Sequence, residues 1–321
     1  MLGQSVSASE LAGLATAFLW TLSALAWSFC GRRIGSVPTA AIRILLAGAI
    51  LFAIHWLVFG SPWPRDKAGA PLAGEPLVLL VISGILGACI ADMLQFRGLV
   101  LIGPRYGTLI LALSPVMSAA MAWLPPMNET LGPGAVAGIA LTLGGVAWVV
   151  AEPHERRAWR TTKRGFRLGV VLSLAAALVA AAGYVVSRMA MQAGPRWFID
   201  GPPLAGVDPF VGSMVRVVAA AGGIWLALPF MRSLRPTLRG LADRRAMLII
   251  IGGTIVGPVV GIWMSMIALA GAKAGIAVTL INTSPLMMIP LAYLAYGERP
   301  TWRALVGTAV AIAGIFVLMW K

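Results

Sequence analysis

The sequence predicts an all-α integral membrane protein with ten transmembrane helices, arranged as two inverted five-helix repeats. Its 321 residues are 59% hydrophobic and only 11% charged, with a mean hydropathy of +0.89, which excludes a soluble domain of this size. About 20 apolar residues cross a hydrocarbon core of roughly 30 Å, so each apolar stretch of that length is a candidate span. Ten stretches qualify, at 11–30, 38–59, 77–97, 106–124, 131–151, 168–188, 209–230, 246–270, 274–295 and 302–320.

The connections between these spans are short. The longest, at 152–167, 189–208 and 231–245, are too small to hold a separate soluble domain. Any chemistry must therefore take place among the helices. We divide the chain into a first repeat at 1–151, a basic connecting loop at 152–167 and a second repeat at 168–321.

The distribution of basic residues indicates how the chain is oriented. The 25 Lys and Arg residues against 11 acidic ones give a net charge of +14, but they lie at helix ends and in short loops, which argues against a nucleic-acid partner. Seventeen of them lie on the side of the membrane opposite the termini. Six, with Arg188 among them, lie on the side of the termini, and the remaining two, Arg43 and Arg216, lie inside spans. This bias predicts external termini in a multi-pass protein of the inner or plasma membrane.

Internal repetition supports the two-half arrangement. A glutamate and two glycines recur at a constant offset of 169 residues, as Glu129, Gly138 and Gly145 and again as Glu298, Gly307 and Gly314. Because each half holds an odd number of helices, the second half must enter the membrane upside down. Two such halves can open a central cavity first to one side of the membrane and then to the other.

The closing segment carries specific marks, in the run IALAGAKAGIAVTLINTSPLMMIPLAYLAYGERPTWRALVGTAVAIAGIFVL. A proline lies in the penultimate helix, a GE pair in the short loop, and Thr with spaced Gly in the last helix. The first half repeats them as LSPVMSAAMAWLPPMNETLGPGAVAGIALTLGG, with Asn128 in place of the Gly before Glu129. On these marks, and on its opening segments ATAFLWTLSALAWSF and AAIRILLAGAI, the chain resembles EamA-type carriers of the drug/metabolite transporter superfamily. The resemblance implies cytoplasmic termini, opposite to what the charges indicate.

Charged residues inside the predicted spans are functional candidates because they are costly in lipid. Asp92, near the end of the third span, and Arg43, near the start of the second, should lie near the same membrane face. A buried ion pair between them is expected, with a proton or substrate role for Asp92 as the alternative. Aligning Gly87 with Gly257 places Ile262 opposite Asp92, so Arg216 lacks an equivalent partner. Arg216 then pairs either with Asp208 or with an anionic group of a substrate.

Two loop carboxylates, Glu129 and Glu298, match the loop glutamates of that family. A carboxylate just before a helix is also favoured by the positive end of the helix dipole. A structural role is therefore predicted for both.

Polar and aromatic side chains on the predicted helices form the candidate substrate site. Those in the first span share one helical face, and so do those in the ninth, just before Pro285; the resemblance adds residues from helices that would surround a central cavity. The alternative for each is a hydrogen bond to a neighbouring helix. The set is Trp20, Ser23, Trp27, Gln95, Ser114, Tyr184, Trp263, Ser265, Thr279, Asn282 and Thr283.

Glycines at GxxxG spacing predict close helix contacts. The eighth span carries Gly253, Gly257 and Gly261, with Pro258 able to bend it. Gly134 and Gly138 in the fifth span suit either packing or self-association into a homo-oligomer.

The expected function is transmembrane transport of a small organic metabolite by alternating access, as secondary-active export of an amino acid or related solute. No Walker A motif is present, and neither a cofactor nor a metal is expected. The expected partners are the solute and the lipid bilayer. The alternative, a membrane-embedded enzyme acting on lipid, needs clustered His, Asp, Glu or Cys, whereas His55 and His154 stand alone.

Overall fold

In the computed structural model the chain folds as a bundle of helices. The structure describes residues 7–111, 113–150, 162–194, 197–198, 203–284, 286–287 and 302–319. The α-helices of these ranges are α1 Ala8–Ile34, α2 Ser36–Phe59, α3 Glu75–Gly84, α4 Asp92–Leu111, α5 Ser114–Trp123, α6 Pro133–Val150, α7 Lys163–Met191, α8 Pro209–Ala227, α9 Leu234–Gly240, α10 Arg244–Thr254, α11 Ile262–Gly271, α12 Ala274–Ile281 and α13 Trp302–Met319.

Two seven-residue π-helical segments interrupt the long helices. The first π segment, Ile85–Ala91, joins α3 to α4, and the second π segment, Ile255–Gly261, joins α10 to α11. They lie 170 residues apart at both ends, so the two halves share this irregularity at equivalent positions. A π segment is rare and often marks a functional position.

Six helical stretches in the described residues are long and apolar enough to cross a membrane, and two shorter apolar ones accompany them, at Pro133–Trp148 and Leu305–Val317. The six are Ala8–Gly31, Ser36–Phe59, Glu75–Gly98, Lys163–Met191, Pro209–Ala227 and Arg244–Gly271. The protein is therefore a multi-pass membrane protein. Part of the predicted ninth span and its Pro285 lie outside the described residues.

The prediction of a loop between residues 97 and 106 is wrong. α4 continues as one helix to Leu111, and the next helix begins only at Ser114. The reason is packing against α7: a side chain at Gly98 would collide with Ser173, and one at Gly169 would collide with Ile102. This close contact supports continued helix through residues that the sequence pattern assigns to a loop.

The repeated glycines form a reciprocal contact between the two halves, where α6 crosses α13. A Cβ at Gly145 would lie 2.5 Å from the backbone oxygen of Gly307 and the backbone nitrogen of Ala311, and one at Gly314 would meet Thr142. Thr142 and Ala311 are themselves 169 residues apart. The two repeats therefore use the same residue positions against each other, as across a twofold axis.

Candidate functional site: a central polar cavity

A cavity of about 270 Å³ lies at the centre of the helix bundle. α1, α2, α4, α7, α8 and both π segments contribute to its wall. Eight of the eleven predicted substrate-binding residues line it: Trp20, Ser23, Trp27, Gln95, Ser114, Tyr184, Ser265 and Asn282. The three predicted charged residues, Arg43, Asp92 and Arg216, line the same space.

Close packing of α1 on the second π segment brings its polar face to the cavity. A Cβ at Gly257 would lie 2.5 Å from Ser23 Oγ, and one at Gly261 would lie 2.8 Å from the Trp20 ring. Gly253 meets Trp27 in the same way. The predicted close contact at these glycines is therefore present, and it places the aromatic face of the first helix against the wall of the cavity.

Three predicted substrate-binding residues lie away from the cavity lining. The Trp263 ring packs edge-on against Phe210, with 5.6 Å between ring centroids. Thr279 and Thr283 are fully buried, and each donates its hydroxyl at 2.7 Å to a carbonyl of its own helix, that of Gly275 or Leu280. Because none of the three lines the cavity, a packing role is favoured for all three side chains.

The side-chain amide of Gln95 lies in the cavity without a partner among the residues that the structure describes. Neither its oxygen nor its nitrogen forms a hydrogen bond with them. A buried amide without partners is costly. Gln95 therefore offers one acceptor and two donors to whatever occupies the cavity.

Arg43 and Asp92 form an ion pair at the cavity wall. Arg43 Nη2 donates to Asp92 Oδ2 at 2.8 Å, and the two side chains are 14% and 37% exposed. The Arg43 guanidinium also lies 5.2 Å from the centroid of the Trp27 ring, a cation–π contact. Asp92 follows directly on the first π segment and also lines a second cavity of about 350 Å³ between α2, α4, α7 and α8. Its carboxylate thus stands between two spaces.

Arg216 presents a second guanidinium to the cavity from α8. Its Nη1 donates to Ser187 Oγ and lies 3.4 Å from Met266 Sδ, and its guanidinium carbon lies 6.0 Å from the Tyr184 ring centroid. Its Nε has no hydrogen-bond partner among the residues that the structure describes. The predicted alternative pair with Asp208 does not form, because Asp208 caps α8 and accepts from the Phe210 backbone N–H at 2.8 Å.

Two glycines of the third predicted span make room for Arg216. A side chain at Gly84 would collide with the Arg216 backbone, and a Cβ at Gly87 would lie 2.9 Å from its Nη2. The missing Cβ at Gly84 lets the two helix backbones approach closely, and the missing Cβ at Gly87 leaves room for the guanidinium.

A second buried ion pair joins the two halves outside the cavity. Arg188 Nε donates to Glu129 Oε1, and Arg188 Nη1 donates to the Leu269 carbonyl at 2.6 Å. Glu129 Oε2 accepts from the backbone N–H of Ala274 at 3.0 Å, at the start of α12. Arg188 itself is 8% exposed and lies in the last turn of α7. Glu129 contacts a helix of the other repeat rather than the helix that follows it, and Glu298 lies outside the described residues.

Sequence reasoning did not anticipate the π segments or the Arg188–Glu129 pair. Pro258, which cannot donate a backbone N–H, gave a local signal for the second π segment, whereas the first π segment contains no proline. The charge at Arg188 and the carboxylate at Glu129 were visible, but their pairing is set by tertiary packing.

The described residues contain no group of three or more His, Cys, Asp or Glu side chains able to hold a metal ion. His55 is buried, and its Nε2 lies 3.3 Å from the Trp63 carbonyl. This contact gives the side chain a packing role at the end of α2. His154 lies outside the described residues.

Comparisons with known proteins agree with this architecture. A model of the EamA-like transporter family matches the chain twice, at residues 7–151 and 167–320. A search of curated proteins finds no match. One solved structure, described only as "Crystal structure of protein", is similar with a TM-score of 0.71 at 19% identity, and the likeness covers 98% of this chain and 96% of that chain. At this identity the likeness shows the fold alone.

Proposed function

The chain belongs to the EamA-like transporter family, and from this premise we propose that it carries a small organic solute through the central cavity by alternating access. The solute is an amino acid or a related metabolite, and the direction is export driven by a gradient. The observation that carries the proposal is the cavity itself, which brings the aromatic and polar side chains of both repeats to one space. Pockets of this kind, mostly apolar with a few convergent polar groups, are typical of small-molecule sites.

Alternating access needs two arrangements of the halves, one open to each side of the membrane. Two related repeats can form both arrangements from equivalent helices. We infer that the repeats are inverted, since an inverted pair can exchange conformations around a fixed central site. The two π segments at equivalent positions support this proposal, because a locally widened helix can bend without losing all of its backbone hydrogen bonds.

The chain path puts a junction that both halves build on the side of the termini, and in our proposal this junction closes the cavity there. Glu129 holds Arg188 and the start of α12 together there, while Trp27, Arg43 and Asp92 line the cavity toward the opposite side. In our proposal, the Glu129–Arg188–Ala274 junction separates and re-forms in each transport cycle. Such a junction can separate because its contacts are polar, so that water can replace them.

Asp92 is the proposed carrier of a coupling proton. Its carboxylate lies at the cavity wall, where it pairs with Arg43 and keeps 37% of its side chain exposed. A carboxylate that lines a solute cavity and a second space can exchange a proton as the solute moves. The charge distribution supports external termini and a cytoplasmic 152–167 loop for the exporter.

Flux in proteoliposomes tests the proposal. Purified full-length protein is reconstituted, and the uptake of labelled amino acids, amines, organic acids and nucleosides is compared with that of empty vesicles, with and without a proton gradient. We expect at least one amino acid or related metabolite to move faster than in empty vesicles. A panel in which no solute moves faster would contradict the transport proposal.

A further inference from the structure

The charges of the central cavity do not balance. Its charged lining residues, within the described chain, are Arg43, Asp92 and Arg216. Arg43 and Asp92 neutralise each other across 2.8 Å. Arg216 therefore brings to the cavity one positive charge that none of the described lining residues compensates.

The surroundings of Arg216 do not satisfy its guanidinium. The residue is only 5% exposed, and the described residues place no carboxylate within ion-pair distance of it. Its partners are a neutral hydroxyl, Ser187 Oγ, and a thioether sulfur, Met266 Sδ, and its Nε donates to nothing described. A charge buried in a membrane protein without a counter-charge is expensive. A side chain with this cost is expected where a ligand supplies the missing charge.

The fold makes specific room for this charge. Gly87 lacks the Cβ that would lie 2.9 Å from Arg216 Nη2, and the Tyr184 ring lies beside the guanidinium. A simple packing role would be filled at lower cost by an apolar residue of similar length, such as Met. The planar guanidinium presents parallel N–H groups that match the two oxygens of a carboxylate.

We propose that Arg216 is the receptor for a carboxylate group of the transported solute, so that the protein selects small carboxylic acids, zwitterionic amino acids included, over amines. This inference rests on the proposed transport function and narrows its substrate class. Asp92 does not make the cavity a cation site, because Arg43 already neutralises it. The aromatic rings of Trp20, Trp27 and Tyr184 in the same lining favour an apolar body on that solute.

Binding to matched probes tests the assignment on the full-length protein in detergent. The probes are L-phenylalanine, 3-phenylpropanoate, phenethylamine and L-phenylalaninamide, with the corresponding leucine series and inorganic phosphate; the readout is the shift of the thermal unfolding midpoint. The variants are Arg216→Met, which keeps the length but loses the charge, and Arg216→Lys, which keeps the charge but loses the fork. Arg65→Met is the control, since Arg65 is exposed and its guanidinium donates to the Gly69 carbonyl in a loop.

We expect the acids and amino acids, but not the amines or amides, to stabilise the wild type and Arg65→Met. Arg216→Met should lose about tenfold or more of that affinity, because a charge-assisted pair is removed, and Arg216→Lys should lie between. Without ligand, Arg216→Met should melt at or above the wild-type temperature, since an uncompensated buried charge is gone. Amines that bind as tightly as acids, inorganic phosphate that matches the acids, or acid affinity unchanged in Arg216→Met would each overturn the assignment.

Flux measurements separate failure of this inference from failure of transport. An amine or neutral solute carried by the wild type and equally by Arg216→Met would overturn the role of Arg216 and leave transport standing. Acids that bind through Arg216 but are never carried would support the carboxylate site while contradicting the transport proposal.

Discussion

Replacing Glu129 by Gln should lower the free energy of unfolding by about 3–5 kcal/mol, because it breaks a buried ion pair and leaves Arg188 charged without a partner. The burial and the contacts of Glu129 explain the size of this expected loss. The two side chains are 12% and 10% exposed, and Glu129 accepts from both Arg188 Nε and the Ala274 backbone N–H. A Gln side chain has one acceptor oxygen for these two donors, and its amide nitrogen would face the other donor.

An exposed pair of the same type gives a matched control. Arg33 Nε contacts Asp243 Oδ2 at 2.6 Å, but these side chains are 44% and 23% exposed, so Arg33→Met should change the unfolding free energy by less than about 1 kcal/mol. Arg188→Met should cost several times more. The double variant with both Glu129→Gln and Arg188→Met should lose less than the sum of the single variants, because neither charge is then left alone.

Unfolding by SDS in mixed detergent micelles, followed by tryptophan fluorescence, measures these differences. A Glu129→Gln variant within 1 kcal/mol of the wild type, or no more destabilised than Arg33→Met, would refute the reasoning. It would show that the junction between the halves does not depend on this pair.

Two further predictions concern the crossing of the halves and the coupling residue. Gly145→Ala should destabilise the protein by about 1–3 kcal/mol, because its new methyl would lie 2.5 Å from the Gly307 backbone oxygen. The control Gly144→Ala meets open space and should change the free energy of unfolding in micelles by less than about 0.5 kcal/mol. Equal values for the two variants would contradict the packing at this crossing. Asp92→Asn should abolish proton-driven accumulation in proteoliposomes while leaving downhill exchange, and unchanged accumulation would rule out Asp92 as the coupling site.

Chain connectivity and helical periodicity predicted much of the cavity. Arg43 and Asp92 were placed near one membrane face because the second and third spans form a hairpin, and the structure has them in contact. Trp20, Ser23 and Trp27 fall on one helical face by spacing alone, and that face lines the cavity. These features depend on residues close in sequence or on the simple up-and-down path of the chain.

Features that depend on contacts between distant segments could not be predicted in this way. Periodicity gives the face of a helix but not its neighbour, so Thr279 and Thr283 were grouped with Asn282, although of these three only Asn282 lines the cavity. The partner of Arg188 comes from the other repeat, 59 residues away in sequence. The continuation of α4 beyond residue 97 depends on α7, whose contribution is invisible in the local pattern.

The central claim, that the solute passes through the central cavity, is tested most directly by filling it. Ala88 lines the cavity, so Ala88→Trp places an indole in a space of about 270 Å³; Leu57→Trp adds the same group at a position that is 86% exposed. The measurement is the initial rate of solute flux into proteoliposomes that contain equal amounts of folded protein. Our account predicts that Ala88→Trp falls to the rate of empty vesicles while Leu57→Trp transports like the wild type. A folded Ala88→Trp variant with wild-type flux would contradict it.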